Sequence, residues 1–243
     1  ASTQITVQAP DLAVERVTVP TAMISAQEFQ LSYRIGNPGN APALAAWSDA
    51  VYLSADNQFS PATDILMGTF SAADRVPLAG GANYSAIRTV RLPGVGAGTW
   101  YVIVVADSAG VQGETSETNN TLASDAIMLT APDLVVDAFS VPGIASPNQS
   151  INASWTVRNA GTVAAPGDWL DRIYLSTDAT LDIGTDTLLA SHDTAVLTPL
   201  TAGDTYTIQR QFTLPTLATG DYYLFVVADG NQLQGESNEA NNS

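Results

Sequence analysis

The sequence contains no cysteine and no lysine, and His192 is the single histidine among its 243 residues. Without cysteine, no disulfide supports the fold. Schiff-base chemistry needs a lysine, and nucleophilic triads need a histidine base. His192 cannot belong to a repeated site, because the equivalent position of the other half of the sequence is Phe70. We therefore expect a protein that is not an enzyme.

Positive charge is also scarce, since eight basic residues stand against 24 acidic ones and the formal net charge is −16. Nucleic acids and anionic membrane surfaces are bound through clustered cations, so both are poor partners for this chain. No apolar run approaches the length of a membrane span. The composition therefore predicts a soluble protein with no nucleic-acid partner, and cations are its natural ligands.

The sequence consists of two similar halves, whose equivalent residues are related by a constant offset of 122. Pro10-Asp11-Leu12 returns as Pro132-Asp133-Leu134, and the segment 104–107 returns as 226–229 with the same residues. A repeat longer than a hundred residues is a whole domain rather than a solenoid turn. Duplication of whole domains favours spacers, stalks and binding arrays over a single catalytic site.

Apolar and polar residues alternate with period two along most of each repeat, as in strands with one buried face. In the first repeat the alternation and the turn residues predict seven strands, at 12–19, 28–36, 48–54, 65–70, 84–92, 99–106 and 125–130, and the second repeats the first six. We predict an all-β chain of two tandem immunoglobulin-like or fibronectin-III-like sandwiches. The predicted domains are 10–131 and 132–243, preceded by an orphan strand of the last (G) type in 1–9.

Three motifs carry a family resemblance. They are the strand phrase at 49–56 and 171–178, the Asn-x-Gly at Asn37 and Asn159, and the Glu-x-x-Glu-x-Asn-Asn at 114–120 and 236–242. Together they resemble the CARDB family, the cell-adhesion-related domains of bacterial and archaeal surface proteins. The resemblance implies an immunoglobulin-like sandwich, often in tandem, with an adhesive or structural role. It also implies an extracellular or cell-surface location.

Acidic and amide side chains gather at one end of each predicted sandwich. Asp49 begins one strand and Asp107 follows its antiparallel neighbour, so their carboxylates are expected within a few ångströms of each other. Oxygen ligands without histidine or cysteine suit Ca²⁺. The candidate ligands are Asp49, Asp107, Glu114, Glu117, Asn119, Asn120, Asp133, Asp171, Asp229, Glu236, Glu239, Asn241 and Asn242.

A second interpretation of the same residues remains open. They also fit a solvated acidic rim, in which the asparagine pair caps the turn through side-chain to backbone hydrogen bonds. Four other aspartates bracket the loop at the opposite end of each sandwich, where loop closure competes with a metal: Asp56, Asp64, Asp178 and Asp186.

The first repeat has a predicted last strand at 125–130, and the second has no counterpart to it. Aligning the two Ala-Pro-Asp motifs places Ile5 on Ile127 and Val7 on Leu129, with the same apolar parity. We predict that the second sandwich is completed by Thr3, Gln4, Ile5, Thr6, Val7 and Gln8 of the next copy. Donor-strand exchange between subunits and one period of a longer polypeptide both give head-to-tail self-association in a fibre.

A carbohydrate-binding module is the alternative function. Trp47, Trp169, Tyr52 and Tyr174 offer stacking faces if they are exposed. The same aromatic residues also fit core and rim positions, in which case they contact no ligand.

Overall fold

The computed structural model describes residues 2–243, and it is built almost entirely of strands. The chain divides into two compact units, of which the first comprises the residues up to 23 together with 27–93 and 98–129, and the second comprises 24–26, 94–97 and 130–243. No helix of the described residues is long and apolar enough to cross a membrane. The strands are β1 (Ala13–Thr18), β2 (Ala22–Ile24), β3 (Glu28–Gly36), β4 (Ser48–Ser54), β5 (Ile65–Ser71), β6 (Asn83–Arg91), β7 (Gly98–Val105), β8 (Thr121–Ala123), β9 (Ile127–Thr130), β10 (Leu134–Ser140), β11 (Ser150–Asn159), β12 (Leu170–Ser176), β13 (Thr187–Asp193), β14 (Thr205–Thr213) and β15 (Tyr223–Val227).

The first unit consists of two antiparallel sheets. One has the order β1-β3-β6, and the other has the order β2-β9-β7-β4-β5, with β8 also paired to β7. The burial of β3 follows the alternation from which the strand was predicted. Its apolar residues are buried and its polar residues Gln30 and Arg34 are exposed; the buried residues are Phe29, Leu31, Tyr33 and Ile35. The all-β prediction is therefore confirmed.

The second unit repeats this architecture with fewer strands. Its sheets are β10-β11-β14 and β13-β12-β15. Trp155 and Trp169 lie in its core with 1% and 0% of their surfaces exposed. Strand β12 pairs with one edge of β15. Within residues 2–243, no strand pairs with the other edge of β15, whereas β7 in the first unit pairs with both β8 and β9.

Two short strands were not anticipated from the sequence. β2 and β8 have three residues each, too few for an alternating pattern to identify them. β8 pairs antiparallel with β7, and its Ala123 packs together with Tyr52 and Phe59 against a small second core formed by Ala50, Ile103 and Val105. Residues 3–8, the predicted donor strand, have no regular secondary structure in this chain and are exposed.

Candidate functional site

The Asn-x-Gly motif attaches the start of each unit to its body. Asn37 is 1% exposed, and its Oδ1 accepts the backbone N–H groups of Asp11 and Gly39 at 3.0 and 3.1 Å. Its Nδ2 donates to the carbonyls of Ala41 and Leu78. A Cβ on Gly39 would lie 2.7 Å from the Asp11 nitrogen, so only glycine allows this approach.

The second unit repeats the arrangement with Asn159. Its Oδ1 accepts the N–H groups of Asp133 and Gly161, and its Nδ2 donates to the carbonyls of Val163 and Leu200. Asp133 thus contacts Asn159 through its backbone N–H. Its side chain accepts a hydrogen bond from Asn241 Nδ2 at 3.1 Å. The family motif is therefore a structural attachment that uses the full hydrogen-bonding capacity of one buried amide.

We call residues 107–120, and 229–242 in the second unit, the closing loops. In the first unit, Glu114 Oε2 accepts the N–H of Leu12 at 2.6 Å. The carbonyl of Asn119 accepts the N–H of Val14, and its Nδ2 donates to Asp11 Oδ1. The closing loop therefore holds the chain segment that leads into β1.

Asp107 opens the first closing loop and shapes its turn. Its φ is 43°, in the left-handed region that aspartate tolerates better than most residues. Its two carboxylate oxygens accept the N–H groups of Val111 and Gln112 at 3.0 and 2.7 Å. Asp229 does the same in the second unit, with φ 47° and acceptors for Leu233 and Gln234. Both oxygens of each carboxylate are therefore engaged by their own loop.

The antiparallel pairing of β4 with β7 places Asp49 at the same end of the sandwich as Asp107, but the two carboxylates have different partners. It is fully buried, and its Oδ2 accepts the hydroxyls of Tyr33 and Tyr84 at 3.0 and 2.7 Å. Burial raises the pKa of Asp49, and the tyrosine hydrogen bonds oppose that rise. The two phenol hydroxyls thus both donate to a single oxygen of the Asp49 carboxylate.

In the second unit, Asp171 is surrounded by donors on both oxygens. The indole nitrogens of Trp155 and Trp169 donate to it at 2.7 and 3.2 Å, and the hydroxyl of Tyr206 donates at 2.7 Å. Burial raises the pKa of Asp171 to about 6, against these three stabilising donors. Asp171 is therefore a buried hydrogen-bond acceptor that organises the core.

The remaining acidic side chains of the closing loops are partly buried and repel one another at this end of each sandwich. Burial raises the pKa of Glu114 to about 7, and repulsion from Glu117, Asp107 and Asp11 adds to the rise. Burial raises the pKa of Glu236 to about 8, with repulsion from Glu239 and Asp229. Burial likewise raises the pKa of Asp229 to about 6. A positive charge or bound protons would relieve this repulsion.

Several buried oxygens at this end have no hydrogen-bond donor. They are Asp49 Oδ1, Glu114 Oε1, Asn119 Oδ1, Asn120 Oδ1, Asn241 Oδ1 and Asn242 Oδ1. The side-chain amides of Asn120 and Asn242 are oriented by the hydrogen bonds of their nitrogens. Asn120 Nδ2 donates to Glu117, and Asn242 Nδ2 donates to Glu236. Across residues 2–243, no cluster of three or more histidine, cysteine, aspartate or glutamate side chains is spaced to hold a metal ion. Any cation here would need the amide oxygens.

The sequence analysis did not select several residues that contribute hydrogen bonds or buried side chains at this end of each sandwich. Tyr84 and Tyr206 donate to Asp49 and Asp171, and Gln112 and Gln234 are buried within the closing loops. Asp11 was overlooked although its equivalent Asp133 was selected. All of these residues recur at the 122-residue offset, so a comparison of the two repeats could have identified them.

The second set of aspartates closes its loops locally. Asp56 and Asp178 accept the N–H groups of Gln58 and Thr180 two residues on. Asp64 and Asp186 accept those of Ser60 and Asp182. The bonds of Asp56 and Asp178 are those of Asx turns, and the bonds of Asp64 and Asp186 reach back four residues to close the same loops.

The aromatic residues considered for carbohydrate stacking are largely inaccessible. Trp47, Trp169 and Tyr174 have 2%, 0% and 2% of their surfaces exposed. Tyr52 is half-buried and packs against Phe59, with ring centroids 4.9 Å apart and the ring planes tilted by 59°. These residues are parts of the two cores rather than an exposed binding platform.

Several solved structures are similar to all or part of this chain. A CARDB domain from Pyrococcus furiosus, crystallised in complex with di-metal ions, is 16% identical, with a TM-score of 0.38 over 51% of this chain and 97% of that one. Red sea bream transglutaminase is 15% identical, with a TM-score of 0.29 over 95% of this chain and 30% of that one. A β-glucosidase from Listeria innocua is 12% identical, with a TM-score of 0.31 over 50% of this chain and 16% of that one. No curated protein sequence matches.

The family model for CARDB matches twice, at residues 9–124 and 131–243. The two matches cover most of the chain and follow the two halves of the repeat. They agree with the motifs at Asn37, Asp49 and Glu114 and with the all-β architecture of both units. The chain belongs to the CARDB family and contains two tandem copies of its domain.

Proposed function

We propose that this chain is a non-catalytic structural or adhesive module of an extracellular bacterial or archaeal surface protein. Its second sandwich accepts a strand with the sequence of Thr3–Gln8, which links copies head to tail. The observation that carries the proposal is the difference between the edges of β7 and β15. The family and the acidic, lysine-free surface support the location.

The edge of β15 leaves apolar surface partly uncovered. Val102 and Ile103 on β7 have 0% and 1% of their surfaces exposed. Their equivalents Leu224 and Phe225 on β15 are only half-buried. An unpaired edge beside an incompletely covered core is a site where another strand can add.

The segment 3–8 has the side chains that such a strand needs. Ile5 and Val7 are 84% and 83% exposed, whereas their counterparts Ile127 and Leu129 on β9 are each 1% exposed. Burial of two aliphatic side chains of this size contributes about 1.5–3 kcal/mol each. The same strand can come from a neighbouring subunit or from the next period of a longer polypeptide.

A fusion protein tests whether β15 accepts this strand. The first eight residues are repeated after Ser243, with one added serine to match the spacing from Asn120 to Ile127. We expect the fusion to raise the melting temperature of the second unit by at least about 5 °C. The control fusion has Asp in place of the isoleucine and valine of the added copy. If both fusions melt like the parent chain, the strand-acceptor proposal is wrong.

Two further measurements separate the sources of the strand. Deletion of residues 2–8 should abolish concentration-dependent association in analytical ultracentrifugation if the donor is another subunit. Association that survives the deletion rules out donor-strand exchange. A single species near the 25.3 kDa of this chain in a denaturing gel of the native material excludes the longer polypeptide.

Calcium is the proposed stiffening agent of the closing-loop ends. The support is the set of buried oxygens without donors, together with the acids that repel one another around them. Ca²⁺ accepts carboxylate and amide oxygens in flexible geometry. Asn119 and Asn120 are the side chains best suited to hold it in the first unit. The expected result is a melting temperature that rises with CaCl₂ and returns to its original value with chelator.

A further inference from the structure

The two closing loops have the same path but different hydrogen bonds around their first glutamate. In the second unit, Glu236 Oε2 accepts the N–H of Leu134, and Oε1 accepts Asn242 Nδ2 at 2.9 Å. In the first unit, Glu114 Oε2 accepts the N–H of Leu12, but Oε1 is buried without any donor. One glutamate is therefore fully engaged, and its equivalent is half engaged.

The difference arises from the neighbouring glutamate and asparagine. Asn120 Nδ2 donates to Glu117 at 3.1 Å, so it is not available to Glu114. In the second unit, Glu239 instead accepts the N–H of Glu236 at 3.0 Å, which leaves Asn242 free to donate to Glu236. The second closing loop thus closes on its own hydrogen bonds.

The first closing loop is left with one carboxylate and two amide oxygens that accept nothing. These are Glu114 Oε1, Asn119 Oδ1 and Asn120 Oδ1, and Asn120 is only 5% exposed. In the second loop the asparagine oxygens are likewise without donors, but no carboxylate oxygen accompanies them. A carboxylate oxygen without a donor can carry a negative charge that a cation neutralises, whereas an amide oxygen carries none. The first site therefore gains more from a cation.

We propose that the two units are specialised, so that the first binds one Ca²⁺ through Glu114, Asn119 and Asn120 while the second binds none. This inference rests on the calcium part of the proposed function. Three protein oxygens leave positions for water, as in the weak calcium sites of extracellular modules, for which dissociation constants of about 0.1–1 mM are typical. Mg²⁺ requires stricter octahedral geometry and should bind more weakly.

Calorimetric titration of the full chain with CaCl₂ tests the stoichiometry. We expect one ion per chain and a rise in melting temperature confined to the first unit. Two equivalent ions per chain would overturn the specialisation while leaving calcium binding intact. No heat of binding and no shift in melting temperature would overturn both this inference and the calcium part of the proposed function, without affecting the strand-fusion test.

Two matched substitutions identify the site. Glu114→Gln can keep the bond to the Leu12 N–H through its oxygen, and its NH₂ replaces the carboxylate oxygen that lacks a donor. We therefore expect at least a tenfold loss of calcium affinity, with stability in chelator equal to or higher than that of the parent chain. Glu236→Gln should leave calcium affinity unchanged within twofold. Retained affinity in Glu114→Gln, or lost affinity in Glu236→Gln, would contradict the assignment.

Discussion

At the scale of single residues, both units depend on a few buried polar side chains whose hydrogen bonds are nearly complete. Asn37 uses two acceptor and two donor positions within one side chain. Because such a group has left water, removing it leaves several backbone groups without partners. Polar residues of this kind decide where the chain enters the sandwich, which apolar packing alone does not specify.

Asn37→Ala should therefore lower the free energy of unfolding of the first unit by about 3 kcal/mol. The physical reason is the loss of donors for the carbonyls of Ala41 and Leu78 and of an acceptor for Asp11. Urea unfolding measures the change. Asn40→Ala, at an exposed position of the same turn, is the control and should stay within about 0.5 kcal/mol of the parent chain. Equal effects from the two substitutions would contradict the role of Asn37.

Asp171 should make the second unit less stable as the pH rises. Its pKa is raised from 3.8 to about 6 by burial, so the folded state binds the proton more tightly than the unfolded state. The corresponding stability is fully present below pH 3.8 and is lost as the pH rises through about 6, by about 3 kcal/mol. Asp171→Asn should reduce the pH dependence to the part contributed by Asp229 and Glu236, whose pKa values burial also raises, as measured by thermal melts followed by tryptophan fluorescence. Parallel pH profiles for the two proteins would refute it.

At the scale of elements, the closing loop is the part of each unit that joins its two sheets. It begins at Asp107 after β7, and in the first unit it ends where Asn120 leads into β8. Along the way it holds the segment before β1 through Glu114 and Asn119. The loop therefore carries structural bonds between segments about a hundred residues apart in the sequence.

Asp107→Ala should cost the first unit about 3 kcal/mol, because alanine is disfavoured at a φ of 43° and cannot accept the N–H of the buried Gln112. Asp107→Asn keeps the left-handed preference and one acceptor oxygen, so its cost should be intermediate. Differential scanning calorimetry should place the change in the transition of the first unit. An alanine variant as stable as the parent chain would show that the hydrogen bonds of the Asp107 side chain are dispensable.

At the scale of the whole molecule, charge is the dominant feature. With a net charge of −16 and eight arginines, the folded chain repels itself. The ion pairs formed by Arg34 with Glu15 and by Arg158 with Asp137 are on the surface and offset little of that repulsion.

Salt should therefore stabilise this chain. Raising NaCl from about 20 mM to about 500 mM shortens the screening length to a few ångströms and weakens the repulsion. We expect a rise of a few degrees in the melting temperature of both units. CaCl₂ at matched ionic strength should add a further increase in the first unit alone. A melting temperature that falls with NaCl would contradict this account.

Local patterns in the sequence were sufficient to predict most of the strands. The bounds of β3 and β4 agree with the alternation at 28–36 and 48–54 to the residue. The repeat and its motifs also identified the family. These properties depend on the spacing of neighbouring side chains, which an extended strand with one buried face expresses directly.

The partners of the buried acids depended on tertiary structure. Asp49 meets Tyr84 across 35 positions of sequence, and Glu114 meets Leu12 across 102. No local pattern distinguishes an aspartate that accepts a phenol from one that awaits a cation. Glu114 and Glu236 even share one motif, yet only Glu236 has donors on both oxygens. Burial and hydrogen bonding are set by which segments pack together, so a side chain's role is decided only when distant strands meet.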